Sequence, residues 1–211
     1  SEGGNGFIGE IRRARVFGKA LSPSQVADLA SDSKKDFAGD GALMADWICE
    51  SGDGVYVRNR VGNGSEHLAR TTGEVKYVND AEMGKVVQLG GKGWLEVADD
   101  PRLELAGGFT LEAWIGPGQL PEGGVRIIDK CTVGTADGYT LDTFPRNGLR
   151  LITPQGSVGY DAKLEPGKWV HVAATFDANG ELRLYVGGKL VASAPVQPRQ
   201  IAQLERISKL C

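Results

Sequence analysis

The sequence predicts an all-β fold, a two-sheet antiparallel jelly-roll sandwich with one short helix, and three observations carry that reading. Glycine supplies 31 of the 211 residues, about twice ordinary usage, which implies many turns. Short apolar runs rich in β-branched and aromatic residues recur between turn signals, with no helical periodicity. A single segment carries clear helix-start chemistry.

Residues 6–17 (GFIGEIRRARVF) set Ile8 and Ile11 among charged neighbours and read as a strand with one wet face. Ser22, Pro23 and Gln25 then form a capping box with proline at the first helical position. Val26 and Leu29 follow on one face, which predicts a helix over residues 22–30. Residues 31–42 are polar, charged and glycine-bearing, and read as a linker. Beyond them, predicted strands succeed one another at 43–48, 86–89, 94–97, 109–115, 125–129, 139–143, 149–153, 169–176, 182–186 and 190–194.

Two hairpins order the last three of these strands as a meander. Gly187 and Gly188 lack a Cβ, so both can take positive φ in a two-residue turn. Residues 177–180 (DANG) supply a looser turn. Alternation along the first of the three places Val170, Val172 and Ala174 on one face, with Trp169, His171 and Thr175 on the other.

Composition excludes several classes of function. Lys and Arg number 24 against 27 Asp and Glu, a net charge of -3, and no basic stripe with interleaved aromatics tracks a phosphate backbone. Nucleic acid is therefore not an expected partner. No apolar run reaches eighteen residues, so no membrane span is expected, and the starting residues SEGGNGF lack the pattern of a secretory signal. Cys49, Cys131 and Cys211 are odd in number and far apart. They read as buried or free thiols, with one bridged pair as the alternative.

The stretch GGFTLEAWI, residues 166–192 (PGKWVHVAATFDANGELRLYVGGKLVA) and residues 7–26 (FIGEIRRARVFGKALSPSQV) resemble the laminin G-like, concanavalin A-like jelly-roll family. WLEVADDPRLEL and LMADWICESGDG carry weaker likeness, so the resemblance covers most of the chain. It implies extracellular recognition modules, secreted or at the cell surface, often attached to polysaccharide-active enzymes or adhesins. One feature departs from the family order. The segment resembling residues 7–26 ordinarily comes last, whereas here it comes first. A circular permutation, one out-of-phase period of a tandem array, or a fragment of a longer protein would each produce that order. The expected organisation is residues 1–30 as the displaced family C-terminus, 31–42 as linker and 43–211 as main body, completed by residues 6–17. A sandwich missing such a strand exposes unpaired backbone groups, so the slot must be filled. The expected filler is the chain's own strand. The alternative is donation into a neighbouring copy, a self-association that builds a filament or array.

The resulting expectation is a non-catalytic, lectin-like module that binds a glycan or an extracellular protein. Glycosidases of related fold need paired carboxylates on one strand, and Glu112 in FTLEAWI has no second carboxylate two residues on. His67 and His171 have no ligand-spaced neighbours and read as structural or surface residues. No cofactor is expected apart from a structural calcium that the resemblance leaves open. Its oxygen ligands would be Asp99, Asp100 and residues 60–65, although Arg12 and Arg13 stand where the family's last strand carries acidic residues. The candidate ligand-binding residues are Asp129, Lys130, Asp137, Tyr139, Asp142, Arg146 and Arg150. They offer an aromatic for the C–H face of a sugar together with carboxylates and arginines for its hydroxyls, and Tyr160 and Asp161 extend the set.

Overall fold

The structure, a computed structural model, describes residues 5–37, 40–52, 54–62, 66–132, 135–178 and 180–196. Cys211 and the segment 60–65 beyond Gly62 lie outside the described residues. In chain order the elements are β1 (Ile8–Phe17), α1 (Pro23–Ser31), β2 (Leu43–Gly52), β3 (Tyr56–Asn59), β4 (Ala69–Asp80), β5 (Gly84–Val97), β6 (Gly108–Pro117) and β7 (Arg126–Lys130). There follow β8 (Tyr139–Asp142), β9 (Leu149–Thr153), β10 (Gly156–Tyr160), β11 (Val170–Asp177), β12 (Glu181–Val186) and β13 (Lys189–Pro195). Two sheets face one another. The larger runs β13-β12-β11-β6-β1-β2-β3-β4-β5, and the smaller runs β10-β9-β8-β7.

β1 lies in the middle of the larger sheet. Along one edge it pairs with β6 from Gly9 opposite Pro117 to Phe17 opposite Thr110. Its other edge is shared, residues 8–11 pairing with β5 and residues 13–17 with β2. The strands β1-β2-β3-β4-β5 thereby curl into a closed ring, so β5 has a partner on each edge for part of its length. Gly9 makes the close approach possible, because a Cβ there would sit 2.4 Å from the Gly116 carbonyl oxygen.

A bulge at Arg12 solves a side-chain problem. Strict alternation would put Arg13 on the same face as Ile11 and so into the core. The register against β6 instead shifts between Ile11 and Arg13, and the extra residue turns Arg13 and Arg15 outward while Ile11, Ala14 and Val16 line the inner core. Arg13 donates to both oxygens of Asp46, at 2.7 and 2.6 Å, and to the carbonyls of Ser33 and Lys35, at 3.0 and 2.9 Å. Arg15 pairs with Glu112 and donates to the Lys35 carbonyl at 3.1 Å, while the second Glu112 oxygen lies 3.0 Å from His171 Nε2.

The expected wet face of β1 is thus dry. Arg13, Arg15, Asp46, Glu112 and His171 are at most 1% exposed. The polar segment after α1 lies over them, its carbonyls held by the arginines and Phe37 packed edge-on against Phe17 at 6.2 Å. The composition of residues 31–37 signals solvent, but what the site uses is their backbone oxygens, which composition does not show.

α1 begins as expected, with Ser22 as N-cap and both capping-box hydrogen bonds formed. Its Val26 and Leu29 join Phe17, Leu21, Leu43, Ala173 and Tyr185 in a second, outer cluster. Gly187 and Gly188 take φ of 56 and 76° in the β12–β13 turn. A side chain at Gly188 would also strike α1, its Cβ lying 2.8 Å from that of Ala30. Residues 86–89 and 94–97 belong to one long strand, β5, rather than two. Its partner β4 shows no clean apolar alternation because most of its side chains are partly or fully exposed, and β10 buries only Val158. Between the sheets the core brings Leu111, Ile115 and Leu184 against Leu141, Leu149 and Leu151. Among the described residues no helix is long and apolar enough to cross a membrane.

Candidate functional site

The seven sequence-predicted residues do not form one site. β7 and β8 are antiparallel, with Lys130 opposite Tyr139 and Arg126 opposite Asp142. Three residues of rise separate the two ends of this hairpin by roughly 10 Å. Asp129, Lys130 and Tyr139 therefore line one depression, while Arg146 and Arg150 line another. Asp142, in the ladder beside Arg150, belongs with the second group. Asp137 sits in the loop before β8, where its carboxylate accepts from the Thr132 amide at 2.9 Å. Hydrogen bonds from Thr132 hold it down at a pKa of about 2.

The first depression is a cavity of about 330 Å³ between the sheets, enclosed by Phe7, Trp47, Trp94, Leu95, Ile128 and Tyr139 among others. Tyr139 shares its face with Leu141, both buried against the core. It is 7% exposed, with its ring 5.1 Å from that of Phe109, and burial pushes its hydroxyl up to a pKa of about 12. The ring is a wall of the core and does not offer a free stacking surface. At the rim the charges are already matched. Lys130 reaches Glu104 and Asp99 at 2.6 and 3.0 Å, and Asp129 pairs with Arg126 and accepts from Thr140 at 2.6 Å.

The calcium expectation meets the same difficulty. Asp99 is engaged by Lys130, and Asp100 accepts from Arg102 at 2.7 Å and lies 3.0 Å from His67 Nε2. Calcium takes six to eight oxygen ligands with surplus negative charge, and in this structure the two carboxylates are paired with Lys130, Arg102 and His67. Among the described residues no group of three or more His, Cys, Asp or Glu could hold a metal ion.

The second depression is an open surface cleft of about 490 Å³ lined by Glu122, Phe144, Arg146, Arg150, Tyr160 and Asp161 among others. Its aromatic rings are the notable feature. Among the described residues the exposed large hydrophobic side chains are Val55, Tyr56, Phe144, Tyr160 and Leu190, so two of the five stand in this one cleft. Phe144 is held in place by the Arg150 guanidinium, 3.9 Å from the ring centroid. Arg150 in turn makes two hydrogen bonds to Asp142, at 3.1 and 2.6 Å. Arg146, in the left-handed region at φ 50°, pairs with Glu122 across the cleft. An aromatic clamped by a doubly bonded arginine is preorganised, so little side-chain freedom is lost when something docks on it.

Of the seven, Arg146 and Arg150 line this cleft, with Asp142 bonded to Arg150, and Tyr160 and Asp161 line it too; sequence reasoning did not single out Phe144 or Glu122. A signal for Phe144 was present. It stands in the turn sequence FPRNG between β8 and β9, outside any apolar alternation, where a core role is least available.

The fold and cleft define a two-sheet β-sandwich carrying an aromatic and polar surface site. The family described as the concanavalin A-like lectin/glucanases superfamily, of laminin G type, matches residues 89–206, and with more than half its length matched the chain belongs to that family. The match begins within β5 and does not include β1. No curated protein matches the chain in sequence. Among solved structures, one reported as "Cell entry of botulinum neurotoxin type C is dependent upon interaction with two ganglioside molecules" aligns with a TM-score of 0.51 and 18% identity, over 67% of this chain and 36% of that one. Another, the binding domain of botulinum neurotoxin DC in complex with rat synaptotagmin II, aligns at 0.51 and 19%, over 66% and 37%. The chain thus spans under two fifths of those structures, and at such identity the likeness shows the fold alone.

Proposed function

We propose that this chain is a non-catalytic recognition module of extracellular setting that binds a glycan in the cleft of Phe144 and Tyr160. The observation that carries the reading is the pairing of two exposed rings with carboxylates and arginines in one cleft, Arg150 being fixed there by Asp142. Sugars present apolar C–H faces flanked by hydroxyls, and aromatic faces beside hydrogen-bonding side chains complement both. The family and the solved neighbours lend support, since one neighbour is described as interacting with gangliosides and another with a synaptotagmin. The non-catalytic reading is supported by Glu112, which lies buried beside Arg15 and His171 and lines neither of the two depressions.

The strand-donating alternative places β1 in another copy. The pairing of β1 with β6, β2 and β5 of its own chain supports the self-completed reading instead. The test is retention on immobilised polysaccharides, with and without calcium, for the parent chain, Phe144→Ala and Tyr160→Ala. Loss of retention in both variants with unchanged thermal unfolding is the expected result. Retention that ignores both substitutions places the ligand elsewhere, and absence of retention on every polysaccharide rejects the glycan reading.

A further inference from the structure

The charges of the cleft narrow the class of glycan, an inference that rests on the glycan reading above. Each arginine there already has a carboxylate. Arg150 is bonded twice to Asp142, and Arg146 is paired with Glu122. Asp161 is exposed and lines the cleft, and it forms no ion pair among the described residues. Lys163, two residues further on, does not line it. The cleft therefore presents spare negative charge and no spare cation.

We infer that the cleft selects neutral, hydroxyl-rich glycans and rejects sialylated, sulfated or uronate-bearing ones. An ionised carboxylate only accepts hydrogen bonds, and neutral sugars offer hydroxyl donors in adjacent pairs that two carboxylate oxygens can receive together. Phe144, with one face against Arg150, and Tyr160 supply the apolar contact for the ring. An acidic sugar brings its charge to Asp161 and Glu122. To gain a cationic partner it must compete with Glu122 for Arg146 or with Asp142 for Arg150, and the second exchange forfeits the clamp on Phe144.

The experiment compares matched pairs that differ in charge, using the full chain: dextran against dextran sulfate, and lactose against sialyllactose, by titration calorimetry with Phe144→Ala as control. The expected result is that the neutral member binds at least about tenfold more tightly, the ratio that corresponds to ~1.4 kcal/mol. Its affinity should change little between low and high salt, because no ion pair forms across the interface. Asp161→Asn should narrow the gap. Binding of the acidic member as tightly as the neutral one, lost in Phe144→Ala, overturns the neutral preference and leaves the glycan reading standing. If no member of either pair binds, and a wider panel of neutral oligosaccharides also fails, the glycan reading itself falls.

Discussion

Replacing Arg15 with methionine strikes the outer face of the large sheet where its charges are least hydrated. Arg15 and Glu112 have fully buried side chains, and the Lys35 carbonyl and His171 are their further hydrogen-bond partners. Methionine keeps much of the apolar stem but leaves Glu112 with His171 as its one hydrogen-bond partner, and it removes one of the two arginine donors to the Lys35 carbonyl. Removing one partner of a buried pair costs about 3–5 kcal/mol, because the other charge remains without compensation. At roughly 2–4 °C per kcal/mol for a chain of this size, the melting temperature should fall by roughly 6–20 °C. Arg15→Met combined with Glu112→Leu removes both charges and should recover a large part of the loss, with a coupling energy above about 1.5 kcal/mol.

Urea unfolding of the four proteins, followed by tryptophan fluorescence, reads the cycle directly. pH adds an independent check. Burial raises the Glu112 pKa, but Arg15 and then His171 outweigh it, and the net shift is below the ordinary 4.5. A depressed carboxylate contributes stability that is present above its unfolded pKa and is lost as pH falls through the folded value. The parent chain should therefore lose stability below about pH 4.5 more steeply than the double variant. A loss under about 1 kcal/mol for Arg15→Met, or strict additivity in the double variant, refutes the account of the buried network.

Three other outcomes follow from the same contacts. Tyr139→Ala removes a ring packed on Phe109 and should cost about 3–5 kcal/mol; an unchanged urea midpoint would mean the ring is not part of the core. Alkaline stability should fall between pH 9 and about 12, because desolvation raises the Cys49 thiol from 9.0 to about 12 and the Tyr139 hydroxyl from 10.0 to about 12. Each of these groups stays neutral when folded yet ionises when unfolded, so stability is full below the unfolded values and declines above them, and Cys49→Ala should flatten the early part of that decline in a pH-dependent melting series. Deleting residues 1–30 uncovers the facing edges of β6, β2 and β5 and should yield aggregate in size-exclusion chromatography, whereas a stable monomer would show that β1 is dispensable.

Much of the local architecture was legible in the residues themselves. Ser22, Pro23 and Gln25 specify α1 through contacts three residues apart, and Gly187-Gly188 specifies a turn whose backbone demand is local. The strands β6, β8, β9, β11 and β12 were legible because each buries at least one full face under a continuous or alternating apolar run, and β7 and β13 by short apolar runs bounded by turn signals although they are only partly buried. β4 and β10 bury too little to leave a readable pattern, and β3 alternates over only four residues with the polar Asn59 as its second buried position.

The sites divide along the same line. Asp142 and Arg150 face each other across neighbouring strands, so chain proximity was enough to associate them. Tyr139 looked like an accessible aromatic although its alternation with Leu141 assigned it to the core side. What no single segment could reveal was the destination of Arg13 and Arg15. Their partners Asp46 and Glu112 stand 33 and 97 residues away, and the bulge that turns the arginines outward exists only against β6. Local sequence determines which segments become strands, turns and a helix, because those preferences act over a few residues. The neighbours of β1, the dryness of its outer face and the emergence of Phe144 and Tyr160 in one cleft were decided by tertiary structure, since burial and charge pairing depend on segments that meet only when the sandwich closes.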